Sequence, residues 1–311
     1  MSSRRQSSSP RRSDFASSFD VRLFTHDVDR SLLVPEPCDG MARLGSDNDG
    51  GYVVALETIR RAKQLLSFGV AMNWDFERDA VAVNPSLIVE AFDPAVGARR
   101  FAEVAMRSAI SAPLRLAVAD LRGAASSLRR VGSAIDYFRF FSGPARHTAK
   151  RVWYNGDRGS VPIADIMAAV RASRDVPVFV KIDIEGSEYR ILPWIADAAD
   201  LVTGMVVEFH DTDICAGIFN AQIERLLERF AIVHVHGNNH GDLSFDGSLP
   251  LTLEITFVHR SIASRPAAGS SRSGSALGLD APNDPRRPDY PIDPTGPRPV
   301  SRAFAIRGSS I

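Results

Sequence analysis

Short β-branched apolar runs alternating with helix-period segments predict an α/β fold. Its centre is a seven-stranded, mostly parallel sheet with helices on both faces and an antiparallel last strand. Three observations carry this expectation. Apolar runs of strand length recur between residues 64 and 259, with helical patterns in most of the gaps. The run Val180-Lys181-Ile182-Asp183-Ile184-Glu185-Gly186 reads as a buried parallel strand bringing carboxylates to its carboxyl end. The last two runs are separated only by the polar turn region 237–250, which lacks room for a full helix and so closes the sheet as a hairpin.

In chain order, Asp49-Gly50-Gly51-Tyr52 precedes an aromatic and β-branched run and predicts a tight turn entering a strand. The strands are expected at 64–70, 87–92, 114–119, 176–184, 202–209, 231–236 and 251–259, each a compact apolar run. Helices are expected at 76–83, 97–108, 163–172, 188–196 and 219–230, where apolar residues recur at three- and four-residue spacing. Right-handed crossovers between successive parallel strands follow from this order.

Composition sets the outer bounds. The chain has 311 residues with 37 basic and 37 acidic side chains, which does not suggest a net-basic nucleic-acid binder. Two cysteines, Cys38 and Cys215, form neither a metal-ligand spacing nor a disulfide scaffold, which favours a reducing, cytoplasmic setting. No apolar stretch of about 18 residues occurs, so no membrane span is expected. Residues 1–18 are rich in Arg and Ser without the apolar core of a secretory leader, and read as a disordered tail. Residues 262–311, rich in Pro, Ser and Gly, read as a second, mostly disordered tail. One domain, 19–261, lies between them.

Ligand sites in open α/β sheets form at the carboxyl ends of strands, and candidate residues gather there. Gly69 ends the first sheet strand and opens a turn where a cofactor could approach the backbone and meet a helix amino terminus. Phe92-Asp93-Pro94 ends the next strand. Asp93 either accepts hydrogen bonds from ribose hydroxyls or caps the following helix. Lys181, Asp183 and Glu185 fall on one face of a strand that is otherwise apolar, a costly arrangement unless they are paired, metal-bound or lining a polar site. Later strand ends add Glu208, His210, Asp211 and Asp213, then His234, His236, Asn238, Asn239 and His240, then Glu254. Imidazoles and carboxylates at such a mouth suit a general base or a divalent metal, with Asp183, Glu208, His210 and His236 as candidate ligands.

Together these segments resemble the FkbM-like group of S-adenosylmethionine-dependent methyltransferases, in the branch related to the methyltransferase-like protein 24 group. The matching pieces are Asp49-Gly50-Gly51-Tyr52, Ser67-Phe68-Gly69 with Phe76-Glu77, and Phe92-Asp93-Pro94. They continue with Lys181-Ile182-Asp183-Ile184-Glu185-Gly186-Ser187-Glu188, Glu208-Phe209-His210, His236-Gly237-Asn238-Asn239 and Leu253-Glu254-Ile255-Thr256. The segment from Pro282 to Asp289 also looks like a tail of that family.

The resemblance implies a Rossmann-like seven-stranded methyltransferase sheet using S-adenosylmethionine, usually to methylate an oxygen. Gly69, Phe92 and Asp93 would then hold the cofactor, with Asp183 and Glu185 where cofactor and acceptor meet. Ala71 departs from the pattern, standing where a second glycine is expected. A hydroxyl needs help to act as a nucleophile near neutral pH. His210 or His236 is therefore expected as the base, with Asp183 and Glu208 orienting it or holding a divalent ion. The acceptor is expected to be a small molecule or carbohydrate. Two rivals are a non-catalytic binding or scaffold protein of the same fold and a metal-dependent hydrolase using the same carboxylates and imidazoles.

Overall fold

The computed structural model describes residues 27–173, 176–244, 249–263, 278–290 and 292. The 1–18 segment and most of 262–311 lie outside the described residues. The chain opens with an antiparallel hairpin, β1 (Met41–Leu44) and β2 (Tyr52–Ala55), turned by Gly50-Gly51 and followed by the short helix α1 (Leu56–Arg61). Then come β3 (Gln64–Phe68), α2 (Asp75–Val83), β4 (Ile88–Phe92), α3 (Ala98–Ala117), α4 (Leu121–Phe140) and β5 (Ala145–Thr148). A small ribbon, β6 (Arg151–Trp153) with β7 (Ser160–Pro162), leads to α5 (Ile163–Ala172) and β8 (Val178–Ile182). The remainder is α6 (Glu188–Ala196), β9 (Val202–Phe209), α7 (Ala216–Leu227), β10 (Phe230–Gly237) and β11 (Leu253–His259).

The main sheet has seven strands in the order β10-β11-β9-β8-β3-β4-β5. β11 runs antiparallel to both its neighbours, while β3, β4, β5, β8 and β9 pair in parallel. This is the Rossmann-like sheet expected, with its switch point between β3 and β8. The pleat sorts the core. Leu66, Phe68, Val180, Ile182 and Val207 face α5, α6 and α7. Leu65, Val89, Phe179 and Val206 face the β1–β2 hairpin, α1 and α2. Each such side chain fully buried stabilises the fold by about 1.5–3 kcal/mol relative to exposure.

The structure departs from the sequence-based expectation at the edge of the sheet. Residues 114–119 are not a strand. Residues up to Ala117 end the 20-residue helix α3, and a second 20-residue helix, α4, follows before the edge strand β5. The apolar run misled because its large side chains point outward rather than into a sheet. β5, with the sequence Ala-Arg-His-Thr, carries no apolar run to announce it, since an edge strand buries little.

A second departure lies in the carboxyl-terminal stretch. Residues 278–290 fold back onto the end of β10, where Tyr290 bridges Gly237, and Asn283 and Asp284 are buried. A polar, proline-containing composition hid this segment, because hydrogen bonds rather than apolar contacts hold it.

Candidate active site

Register brings four polar side chains into one row. Ile182 pairs with Val207, so Asp183 stands beside Glu208 one step beyond β8. Glu208 pairs with Glu254, and Glu254 with His236. Since neighbours in register share a face, Asp183, Glu208, Glu254 and His236 line the same side of four adjacent strands. The β1–β2 hairpin covers that side and lowers Tyr52 onto the row.

Tyr52 bridges two carboxylates. Its Oη lies 3.0 Å from Asp183 Oδ2 and 3.0 Å from Glu208 Oε2. A phenol has one hydrogen, which faces both carboxylates with Tyr52 as the donor. Glu208 is the more buried of the two. Burial, then the neighbouring charges of Asp183 and Glu254, push its carboxyl well above the usual carboxylate range. Burial, then the charges of Asp183, Glu208 and Glu254, raises the Tyr52 hydroxyl too, so it keeps its hydrogen. Asn238 Nδ2 donates to Glu208 Oε1 at 2.8 Å. Lys181 balances the remaining charge: its Nζ donates to the Gly69 carbonyl, lies 4.0 Å from Asp183 Oδ2 and sits 5.5 Å above the Tyr52 ring.

His210 is built as an oriented imidazole. The turn after β8 places both Glu185 and Gly186 in the left-handed region, at φ 55 and 88°. Glu188 at the start of α6 braces that turn, its Oε1 accepting from the backbone N–H of Ile184 and of Gly186, each at 3.1 Å. The same oxygen is 3.1 Å from His210 Nδ1. Nδ1–H donating to Glu188 leaves Nε2 as the open nitrogen, 3.5 Å from Glu185 Oε2 and 3.6 Å from Glu208 Oε1, too far for a good hydrogen bond. Burial alone would lower the His210 pKa. The bond to Glu188 and the surrounding carboxylates outweigh it and raise the pKa to about 9.

His236 is placed differently. Its Nδ1 is 3.1 Å from Glu254 Oε2, and its Nε2 is 3.1 and 3.2 Å from the two oxygens of Asp289. With both nitrogens engaged and 4% of its surface exposed, it holds the 278–290 segment to the sheet. Asn283 Nδ2 donates to Glu254 Oε1 at 2.6 Å, and Asn239 Nδ2 donates to the carbonyls of Asp284, Arg287 and Pro288.

At the other end of the row, Gly69 has φ +83°, and a Cβ there would meet the Asp183 carbonyl at 1.6 Å, so only glycine fits. Phe92 packs edge-on against Phe68, with centroids 5.7 Å apart. Asp93 is buried, and its carboxylate braces the loop after Gly69. Oδ2 accepts from Val70 N at 3.0 Å and Ala71 N at 2.7 Å, and Oδ1 accepts from Ala95 N at 2.6 Å. With about two acceptor sites per oxygen, Asp93 retains capacity on Oδ1 for one ribose hydroxyl, not both. Ala71 itself has φ 47°, the left-handed conformation for which glycine is suited.

Among the described residues, the grouping able to offer a metal three ligand atoms within 4.8 Å of one another is Asp183, Glu185 and His210. Glu208 and His236, also expected as metal ligands, fall outside it. Sequence reasoning omitted Tyr52, Glu188, Asn283 and Asp289 from the site. The first two lay in plain view within the Gly-Gly-Tyr and Glu-Gly-Ser-Glu runs. The last two lay within the Pro282–Asp289 run noted as a family-like tail, without a role.

No protein-family model matches this chain, and no curated protein matches it. Solved structures do. A protein described as a caffeoyl-CoA O-methyltransferase from Staphylococcus aureus is 8% identical, with 65% of this chain and 79% of that one covered, at a TM-score of 0.33. The precorrin-6y C5,15-methyltransferase of Geobacter metallireducens is 9% identical, with 65% and 84% covered and a TM-score of 0.32. An O-methyltransferase of neocarzinostatin biosynthesis, in complex with S-adenosylmethionine and 2-hydroxy-5-methyl naphthoic acid, is 11% identical, with 63% and 49% covered and a TM-score of 0.27.

Proposed function

We propose that this protein is an S-adenosylmethionine-dependent methyltransferase of the FkbM-like branch, transferring a methyl group to a hydroxyl of a small molecule or sugar. The observation that carries this reading is His210, an imidazole with one nitrogen fixed by Glu188 and the other open beside Asp183, at the carboxyl edge of a sheet of this strand order. When bound, S-adenosylmethionine supplies an electrophilic methyl group on sulfur. Gly69, Phe92 and Asp93 would hold it at the switch point, with the one free acceptor site on Asp93 for a ribose hydroxyl. His210 Nε2 takes the proton of the acceptor hydroxyl, Glu188 keeps the ring in the right tautomer, and Asp183 orients the acceptor. Burial and the neighbouring carboxylates disfavour a second negative charge on Glu208 beside Asp183. His236 stays outside the chemistry and secures the 278–290 segment.

With the His210 pKa raised to about 9, turnover is expected to rise with pH up to about 9. Replacing His210 by alanine is expected to lower turnover by about 10²–10⁴-fold, with S-adenosylmethionine affinity in calorimetry preserved. Turnover of the folded variant equal to wild type would remove His210 from the mechanism. Repeating the assay with a chelator tests whether an ion held by Asp183, Glu185 and His210 takes the place of the proton. The left-handed Ala71 and the largely engaged Asp93 favour one second reading, a fold that has lost cofactor binding. Absence of any calorimetric signal with S-adenosylmethionine would support it.

A further inference from the structure

The helices α3 and α4 form an arm that packs chiefly along each other and is anchored at its base to α2 and β5. Each has 20 residues, so the arm is about 30 Å long. Its base is fixed to the body by an aromatic cluster in which Trp74 meets Phe101, Tyr137 and Phe141, and by Asp136, which accepts from Trp74 Nε1 and pairs with Arg78. Beyond that base the usual order of burial is reversed. Small residues fill the seam: Ser108 and Ala112 on one helix, Ala124 and Ser127 on the other, with Ser111 Oγ 3.1 Å from Ser127 Oγ. Large aliphatic residues point outward.

Two features of the outward surface identify what it meets. Met106, Ile110, Leu114 and Val118 follow one another at four-residue spacing down α3, and Leu121 and Leu128 follow on α4. Around the tip, Leu114, Val118 and Leu121 are 64, 76 and 68% exposed. Across residues 98–140 there are eight arginines, no lysine and three acids, a surplus of five positive charges in a chain whose net charge is zero. The acids are already used: Glu103 pairs with Arg99, Asp120 with Arg115, and Asp136 with Arg78. Exposed Arg107, Arg122, Arg129, Arg130 and Arg139 have no acidic partner among the described residues.

We propose that this arm docks on an anionic lipid surface, inserting the aliphatic tip at the headgroup level while the arginines meet lipid phosphates and carboxylates. A second copy of the chain fits less well, since it would bring a like surplus of charge against the first. Nucleic acid would answer the charge and leave the aliphatic tip in water. No described helix is long and apolar enough to cross a membrane, which leaves the surface as the mode of contact.

The test is co-sedimentation of the full chain with vesicles of phosphatidylcholine, with and without phosphatidylserine. Binding is expected only with phosphatidylserine and is expected to weaken as salt rises. The triple variant R122Q/R129Q/R130Q should lose about a hundredfold in affinity, at roughly fivefold per arginine. The separate variant L114S/V118S/L121S, all at exposed positions, should lose affinity by at least tenfold while keeping its circular dichroism spectrum. The proposal is overturned by equal binding to both vesicles or by no binding to either. It is also overturned by retention on RNA without retention on vesicles, or by a dimer in sedimentation equilibrium that the serine variant dissociates.

Discussion

At the scale of single residues, two side chains carry most of the consequences. Ala71 holds a left-handed backbone that costs an L-residue roughly 1–2 kcal/mol, while glycine there would lose about 0.5–1 kcal/mol more conformational entropy on folding. Ala71→Gly should therefore stabilise the fold by about 0.5–1 kcal/mol, read as a rise in the urea midpoint with an unchanged slope. A fall in the midpoint would show that the alanine methyl makes contacts worth more than the strain. Histidine protonation gives the second expectation. His210 and His236 both have folded pKa values raised to about 9 from an ordinary value of 6.5. A raised pKa means that the native state binds the proton more tightly. Their stabilisation is then complete below about pH 6.5 and disappears as pH rises through about 9. Glu208, also raised, acts in the same direction from about pH 4 upward. Denaturation midpoints measured from pH 6 to pH 10 should decline, and His236→Gln should flatten the decline. A flat profile in the wild type would contradict the ion pairs with Glu188, Glu254 and Asp289.

At the scale of elements, what could be read from sequence depended on which force fixes each segment. β3, β8, β9, β10 and β11 announced themselves because burial on both faces demands continuous apolar runs. The polar row could be anticipated for the same reason. Asp183, Glu208 and His210 were conspicuous in strands that otherwise exclude charge. β5 and α4 were not legible, because an edge strand buries little and α4 buries small residues such as Ala124 and Ser127 while exposing its large aliphatic ones. The 278–290 segment was noticed only by resemblance, and its docking on the sheet was hidden for a different reason. Its attachment is a set of hydrogen bonds from Asn239, Asn283 and His236, and such pairings leave no pattern in composition. Asn283→Ala would leave Glu254 Oε1 without its buried partner and should cost about 1–3 kcal/mol. The check is hydrogen exchange at residues 282–290, where protection should fall with global stability; unchanged protection would show that the segment is held by other contacts.

At the scale of the whole molecule, the chain divides its labour between a rigid sheet edge and two attachments. One is the charged arm of α3 and α4, fixed near the Gly69 loop through Trp74. The other is the returning segment that completes the far end of the polar row. That segment has a consequence in time. Residues 278–290 are synthesised after every strand of the sheet, yet they supply the partners of Glu254 and His236. A nascent chain released only as far as β11 has its seven strands and lacks those partners, so a buried carboxylate and imidazole face each other incompletely paired. A chain cut after residue 263 would thus keep its apolar core and lack its polar closure. Such a truncated chain should form the sheet yet stay open at one corner, with faster hydrogen exchange at the ends of β10 and β11.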